Sequence, residues 1–329
     1  MKLLVLSAAD VHALLGPAEC ADAMRAALIA LQEGTAQQPL RTVIRPEGAA
    51  GLVGLMPAYL SAGDGPAAYG LKAIWITPGN AAAGLDPHQG VVLLASGETG
   101  EPLAVLNASA VTEIRTAAAS VVATQLLART DADVLAVIGT AGQARSHIEA
   151  LSLARPLSEI RVAGRDLAKA ERFAASVAAG GVPVRACASV RDAVTGAGIV
   201  VTVTSSAEPV LRGEWLEPGM HVNAVGASQP GARELDSAAV GAGVLFADRR
   251  ESLLAESGDY LMAAADGTTG PERIRAELGE ILTGRAPGRI SADEITIFKS
   301  LGLAVEDLAA AACVYQNAAA AGTGNWVDF

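Results

Sequence analysis

The chain has 329 residues, 51% of them hydrophobic, 18% charged and 3% aromatic, with a formal net charge of −11. That length allows two domains with cores of their own, while the acidity excludes a nucleic-acid or anionic-membrane surface, both of which need a basic patch, and the scarcity of aromatics excludes base-stacking platforms. No window is apolar enough to span a bilayer, the apolar start M-K-L-L-V-L is broken by Asp10 and His12, and Cys20, Cys187 and Cys313 lack C-x-x-C spacing, so a soluble, cytoplasmic protein without disulfides or a bound metal is expected.

In chain order, a helix is predicted over residues 8–34, followed by strand-like pieces R-T-V-I-R, G-L-V-G-L-M-P-A and G-L-K-A-I-W and a turn at S-G-E-T-G-E-P. Strands separated by Gly/Pro turns predict a mostly antiparallel sheet. From Val134 onward the pattern changes to short apolar runs alternating with helical spacing: V-L-A-V-I, I-R-V-A at 160–163, V-R-A-C-A at 184–188, I-V-V-T-V-T at 199–204, H-V-N-A-V-G at 221–226 and V-L-F-A-D at 244–248. The segment starting at Asp166 has apolar residues at helical spacing and ends at Gly180-Gly181. Repeated strand–helix alternation predicts a parallel, doubly wound sheet of Rossmann type over residues 116–302. A helical pattern at 303–322 is expected to return to the first region, making residues 1–115 with 303–329 a discontinuous α+β domain. No internal repeat is present, and the only compositional bias is alanine enrichment.

The first apolar run of the second region ends in Gly139-Thr-Ala141-Gly142-Gln143-Ala144. In a dinucleotide-binding turn the first glycine makes the tight bend, the second admits the pyrophosphate and the third position lets helix and strand pack. Here those positions are Gly139, Ala141 and Ala144. The added methyl of Ala141 pushes a phosphate slightly outward without removing its main anchors, the backbone N–H groups and the helix N-terminus, and Gly142 relieves crowding. One fingerprint is also compatible with an ordinary strand–helix turn; the strand–helix units downstream favour the dinucleotide. At the end of the second strand, where a carboxylate would select NAD(H), stand Gly164 and Arg165; Arg165 favours NADP(H), and Asp166 keeps NAD(H) open, as does an Arg165 that merely faces solvent.

Several phrases together resemble the ornithine cyclodeaminase/mu-crystallin family: P-L-R-T-V at 39–43, L-M-P-A-Y at 55–59, G-L-K at 70–72, P-G-N at 78–80, H-Q-G-V-V-L-L, T-G-E-P-L-A, V-T-E-I-R-T-A-A-A-S at 111–120, T-S-S-A-E-P-V at 204–210, V-N-A-V-G-A-S-Q-P at 222–230 and F-K-S-L-G-L-A-V-E-D-L-A-A-A at 298–311. The resemblance covers nearly the whole chain. It implies a homodimer paired through the N-terminal sheets, which makes the discontinuous domain the substrate-binding and dimerisation domain, with a Rossmann domain in each subunit and an active site between domains. Arg41, Lys72 and Arg115 match the positions that surround a substrate carboxylate in relatives. This suits a small amino or imino acid, since Arg grips a carboxylate by paired hydrogen bonds and a desolvated Lys can exchange a proton. Met56 is expected at the wall of that pocket or in the core. Thr116 resembles a phosphate-contacting hydroxyl, and Thr204, Ser205 and Ser206 match positions that contact the nucleotide ribose, or serve as helix caps. Val225, Ser228 and Gly302, in two further family phrases, complete the expected cofactor set.

Cyclodeaminases of the family carry an Asp two residues after the V-G of the fifth strand; this chain has Ser228, which cannot act as a carboxylate base. G-A-S-x-P resembles the ketimine-reductase side of the family. The implied activity is NAD(P)H-dependent reduction of a cyclic imino acid such as Δ1-pyrroline-2-carboxylate or Δ1-piperideine-2-carboxylate. Arg41 and Arg115 would hold the carboxylate, and Lys72 would orient the substrate and keep the imine nitrogen protonated. A cyclodeaminase-type ammonia lyase, an alanine-dehydrogenase-like enzyme and a non-catalytic NADPH-binding protein stand as alternatives. His12, His88, His147 and His221 show no metal-ligand spacing and are expected to be structural or surface residues.

Overall fold

The computed structural model describes residues 2–61, 65–86, 88–177 and 179–329. They form two compact units, Met1–Arg115 with Leu303–Phe329, and Thr116–Gly302.

In the first unit β1 (Lys2–Leu6) leads into α1 (Ala8–Leu14), capped reciprocally by Ser7 and Asp10, and then α2 (Pro17–Glu33). The single helix predicted over residues 8–34 is therefore two. Gly16 caps the second, and Pro17, which has no N–H to donate, is tolerated only at a helix start. Next come β2 (Ala36–Gln37), β3 (Thr42–Ile44), β4 (Leu52–Leu60), β5 (Ala68–Ile76), β6 (His88–Ser96) and β7 (Pro102–Asn107), then α3 (Ala108–Leu127), which runs on into the second unit. The unit is closed by the C-terminal helix (Ala304–Ala321) and the C-terminal strand (Asn325–Asp328). The sheet runs C-terminal strand, β1, β7, β6, β5, β4, β2, with β3 also paired to β4; β1 and β7 are parallel and the other pairs antiparallel. The C-terminal helix packs on β4, β5 and β6. Even-numbered residues of β5 face it: a Cβ on Gly70 would lie 2.6 Å from Leu308 Cδ1, so the glycine lets helix and sheet approach.

The second unit contains β8 (Val134–Ile138), α4 (Gly142–Ala154), β9 (Glu159–Ala163), α5 (Leu167–Ser176), β10 (Val184–Ala186), α6 (Val190–Val194), β11 (Ile199–Thr202), β12 (His221–Ala224), α7 (Ser237–Ala242), β13 (Val244–Ala247), α8 (Arg250–Glu256), α9 (Gly258–Ala265), β14 (Ile274–Glu277), α10 (Leu278–Leu282) and β15 (Thr296–Lys299). Its sheet is parallel throughout, in the order β10-β9-β8-β11-β12-β15-β13-β14. This is the doubly wound α/β architecture that the alternation predicts, larger by β14 and β15. Every residue of β11, β12 and β15 is buried, as strands covered on both faces require. Strand order reverses between β8 and β11, the switch point at which ligands of such sheets bind beyond the C-terminal ends of the strands.

Candidate active site

In the first unit one row of directly opposed residues crosses the sheet: Leu6, Leu106, Val92, Lys72 and Met56, all buried. Lys72 is thus a cation in an apolar row, 3% exposed, and such a charge needs a partner. The first turn of the C-terminal helix supplies it. Lys72 Nζ donates to Asp307 Oδ1 and Oδ2 at 3.1 and 3.3 Å, and Arg115, buried on α3, donates from Nε to Asp307 Oδ1 at 3.0 Å and from Nη1 to Glu306 Oε2 at 2.9 Å. Carboxylates in a first helical turn are stabilised by the N-terminal dipole, which suits Glu306 and Asp307 to that place.

Burial pushes the Lys72 ammonium down to about 8, against the pull of Asp307, with Arg115 and Arg41 adding to the lowering. Burial alone would raise Asp307; the two cations outweigh it and hold the carboxyl below its ordinary value. Arg41 is half-buried just ahead of β3 and acts on Lys72 through space. The structure therefore brings Lys72, Arg115 and Met56 together, with Arg41 within electrostatic reach.

In the second unit the turn after β8 has the conformation a dinucleotide needs. Gly139 sits at φ 138°, and a Cβ there would meet Val203 O at 2.8 Å, so only glycine makes this bend. Ala141 is the N-cap of α4 at φ −124° and ψ −169°, an extended conformation open to any residue, and no side chain caps the helix start. A 13-residue helix whose start no side chain caps, reached through a glycine bend at the switch point, fits a pyrophosphate. Ala144 is buried and Gly142 and Gln143 open the helix, so these residues and Gly139 would hold it. At the end of β9, Arg165 is exposed and Asp166 is the N-cap of α5, its Oδ1 accepting from Lys169 N at 3.0 Å. Thr116 is buried on α3. Residues 204–206 follow β11 as a loop rather than a helix start, so the helix-cap alternative falls away; Ser206 N donates to Thr204 Oγ1 and Ser206 Oγ to Glu208 O. Val225 and Ser228 follow β12, and Gly302, at φ 76°, follows β15.

Residues 1–322 match the ornithine cyclodeaminase/mu-crystallin family. The chain belongs to that family. The ketimine reductase mu-crystallin of Mus musculus is 43% identical over 285 residues, 87% of this chain and 86% of the relative. Among solved structures, Thermococcus litoralis Δ1-pyrroline-2-carboxylate reductase in complex with NADH and L-proline has 36% identity and a TM-score of 0.93, covering 98% of this chain and 99% of that one. An archaeal alanine dehydrogenase dimer with bound NAD has 34% identity and a TM-score of 0.93, with both chains fully covered.

Within this family member, sequence reasoning did not single out five buried carboxylates, Glu234, Asp248, Asp259, Glu306 and Asp307. Glu306 and Asp307 partner Lys72 and Arg115, and the signal was present as two adjacent acids opening an otherwise apolar helix. Glu234 and Asp248, in the second unit, accept hydrogen bonds from backbone N–H groups just beyond the strands. Of the histidines, His147 and His221 are buried in hydrogen-bonded networks, and His12 and His88 are exposed. Among the described residues no helix is long and apolar enough to cross a membrane.

Proposed function

We propose that this chain reduces cyclic imino acids of the Δ1-pyrroline-2-carboxylate and Δ1-piperideine-2-carboxylate class to proline or pipecolate, with NADP(H) favoured over NAD(H). The observation that carries the reading is the buried Lys72–Asp307–Arg115 cluster. With Arg41 in electrostatic reach it gathers cations that suit a substrate carboxylate. Arg41 and Arg115 bind and orient that carboxylate. Lys72, with an ammonium pKa brought near neutrality, donates a proton to the imine nitrogen and regains one from solvent. A reduced nicotinamide, when bound, would supply the hydride for the C=N carbon, which with the proton accounts for both hydrogens of the CH–NH product. The buried row of Met56, Val92 and Leu106 excludes water from the cation. Ser228, where a carboxylate base would stand, disfavours loss of ammonia by a cyclodeaminase route.

For the cofactor, Arg165 is exposed at the end of β9 while one oxygen of Asp166 is engaged in capping α5, which supports a 2′-phosphate over a bare ribose. The reading includes a homodimer. The sheet face away from the C-terminal helix carries Val53, Leu55, Tyr59, Leu71, Trp75 and Val91, with Trp75 50% and Val91 37% exposed, an apolar surface of the kind that pairs with a copy of itself.

A second reading, alanine dehydrogenase activity, is favoured by the likeness to the archaeal alanine dehydrogenase. Rates of NADPH and NADH oxidation, measured with Δ1-piperideine-2-carboxylate and separately with pyruvate plus ammonia, decide between them. Faster turnover of the imine with NADPH is expected; preference for pyruvate and ammonia would move the protein to the second reading.

A further inference from the structure

The second unit holds its strand-end loops in an unusual way. Two residues beyond β11, Thr204 N donates to Glu234 Oε1 at 2.5 Å; two residues beyond β12, Gly226 N donates to Glu234 Oε2 at 2.6 Å, and Thr202 Oγ1 donates to the same oxygen at 2.9 Å. Beyond β15, Leu301 N and Gly302 N both donate to Asp248 Oδ2 at 2.7 Å, and Arg249 N donates to Asp248 Oδ1 at 2.8 Å. Both acids are buried, Glu234 completely. Gly226 fits because a Cβ there would meet Thr204 O at 2.1 Å and Glu234 Oε1 at 2.6 Å. Behind Glu234 stands a further buried acid. Asp259 Oδ1 accepts from Glu234 N and Leu235 N at 2.7 and 2.9 Å, and its Oδ2 lies 2.8 Å from Lys299 Nζ, at the last residue of β15.

These loops carry the downstream candidate cofactor residues: Thr204, Ser205 and Ser206 after β11, Val225 and Ser228 after β12, Gly302 after β15. The ladder ends with the strands, and past it only short backbone links such as Val225 N to Thr202 O and Ser300 N to Ala224 O remain, so something else must set the relative height of the loops beyond. We propose that Glu234 and Asp248 are positioning residues for the cofactor: each ties main-chain N–H groups past the strands into one ledge whose shape, fixed before the dinucleotide arrives, sets its affinity. The inference rests on the nicotinamide-dependent reading above and adds to it two residues that act through backbone rather than by contact.

The chemistry makes the test clean. In both acids each oxygen accepts a backbone N–H, so an amide of the same shape sets an NH2 group against an N–H in either orientation. Purified Glu234→Gln and Asp248→Asn are compared with wild type by NADPH and NADH titration, counting only folded, monodisperse protein, and by steady-state kinetics. The expected result is a cofactor Kd raised at least about tenfold, with kcat at saturating cofactor within about threefold and the KM of the imino acid unchanged. Val194→Ala, which opens a cavity beneath α6 at a fully buried side chain, should lower Tm without moving the Kd. If a carboxamide variant does not fold, Thr202→Val keeps the carboxylate, deletes one donor and should weaken cofactor binding about threefold. Cofactor Kd values within twofold of wild type in the variants that fold would overturn the proposal and leave the reductase reading standing. Failure of wild type to bind either cofactor would overturn that reading and this one with it.

Discussion

The two sheets bury charge in different ways, apart from one lysine–aspartate pair, Lys299 with Asp259, that the second unit also holds. In the first unit the charge is a side chain in mid-strand, Lys72, and its partner is another side chain, Asp307, on a packed helix. In the second the buried acids Glu234 and Asp248 sit beyond strands and hold backbone N–H groups. A cation facing an acid across a sheet–helix interface keeps an exchangeable proton; an acid held by amide N–H groups fixes loop geometry. The first arrangement suits chemistry and the second suits shape. Substitutions should separate along that line.

The largest effect is expected at Lys72. Lys72→Met should lower kcat for the imino acid by about 10²–10⁴, the usual range for losing a general acid, while cofactor Kd stays put. Because the folded pKa lies near 8, below the ordinary lysine value of 10.5, the wild-type rate should fall as pH rises through about 8, and Lys72→Arg should carry that limb to higher pH. A variant that turns over normally at saturating substrate would reduce Lys72 to a binding group. Next is Asp307→Asn, which leaves Lys72 and Arg115 buried with one carboxylate fewer. Breaking such a pair costs about 3–5 kcal/mol, visible as a lower denaturant midpoint.

Much of this was readable before any coordinates, and the parts that were not have identifiable reasons. The parallel sheet shows in the sequence because strands covered on both faces are short apolar runs, V-L-A-V-I or I-V-V-T, alternating with helical spacing. β14, Ile-Arg-Ala-Glu, has no such run, and β15, Thr-Ile-Phe-Lys, though buried throughout, has only two apolar residues between polar ends. The break between α1 and α2 was marked by Gly16-Pro17, but apolar residues at helical spacing on both sides masked it. Lys72 and Arg115 lie in recognisable phrases. Asp307 lies in one too, yet nothing local reveals that it faces a lysine 235 positions earlier. Asp248 is harder still, since its partners are main-chain N–H groups 53 and 54 residues away and carry no residue type to read.

Acid titration sharpens the comparison from the other side, because the second unit also buries two rings that must stay neutral. Burial lowers His147 to about 4 and His221 to about 3, from 6.5. Below 6.5 the unfolded chain therefore binds protons that the folded chain refuses, so stability falls as pH drops through 6.5 and continues to fall toward the folded values. Each ring should cost about 2 kcal/mol by pH 5. Urea midpoints measured from pH 7 to 5 test this, and His147→Gln should remove about half of the two-ring contribution. A midpoint unchanged over that range would mean that the rings accept protons in place.

The smallest effect is expected where the dinucleotide turn departs from the glycine pattern. Ala141 already has an extended backbone that glycine and alanine share, so Ala141→Gly removes a methyl without changing the path of the chain. Glycine is the slightly better N-cap, and its greater freedom when unfolded offsets that gain, so stability should move by less than about 0.5 kcal/mol. Cofactor Kd should tighten by no more than about threefold, because the anchors are N–H groups and not the side chain. Ala141→Asp at the same place should do two opposite things. It supplies the cap that α4 lacks, worth about 1 kcal/mol, while its carboxylate takes the N–H groups and repels a pyrophosphate. Higher stability with lost cofactor binding would show that the helix start is left uncapped for the ligand. Higher stability with unchanged binding would place the pyrophosphate elsewhere, and would leave the glycine bend at Gly139 as a purely structural turn.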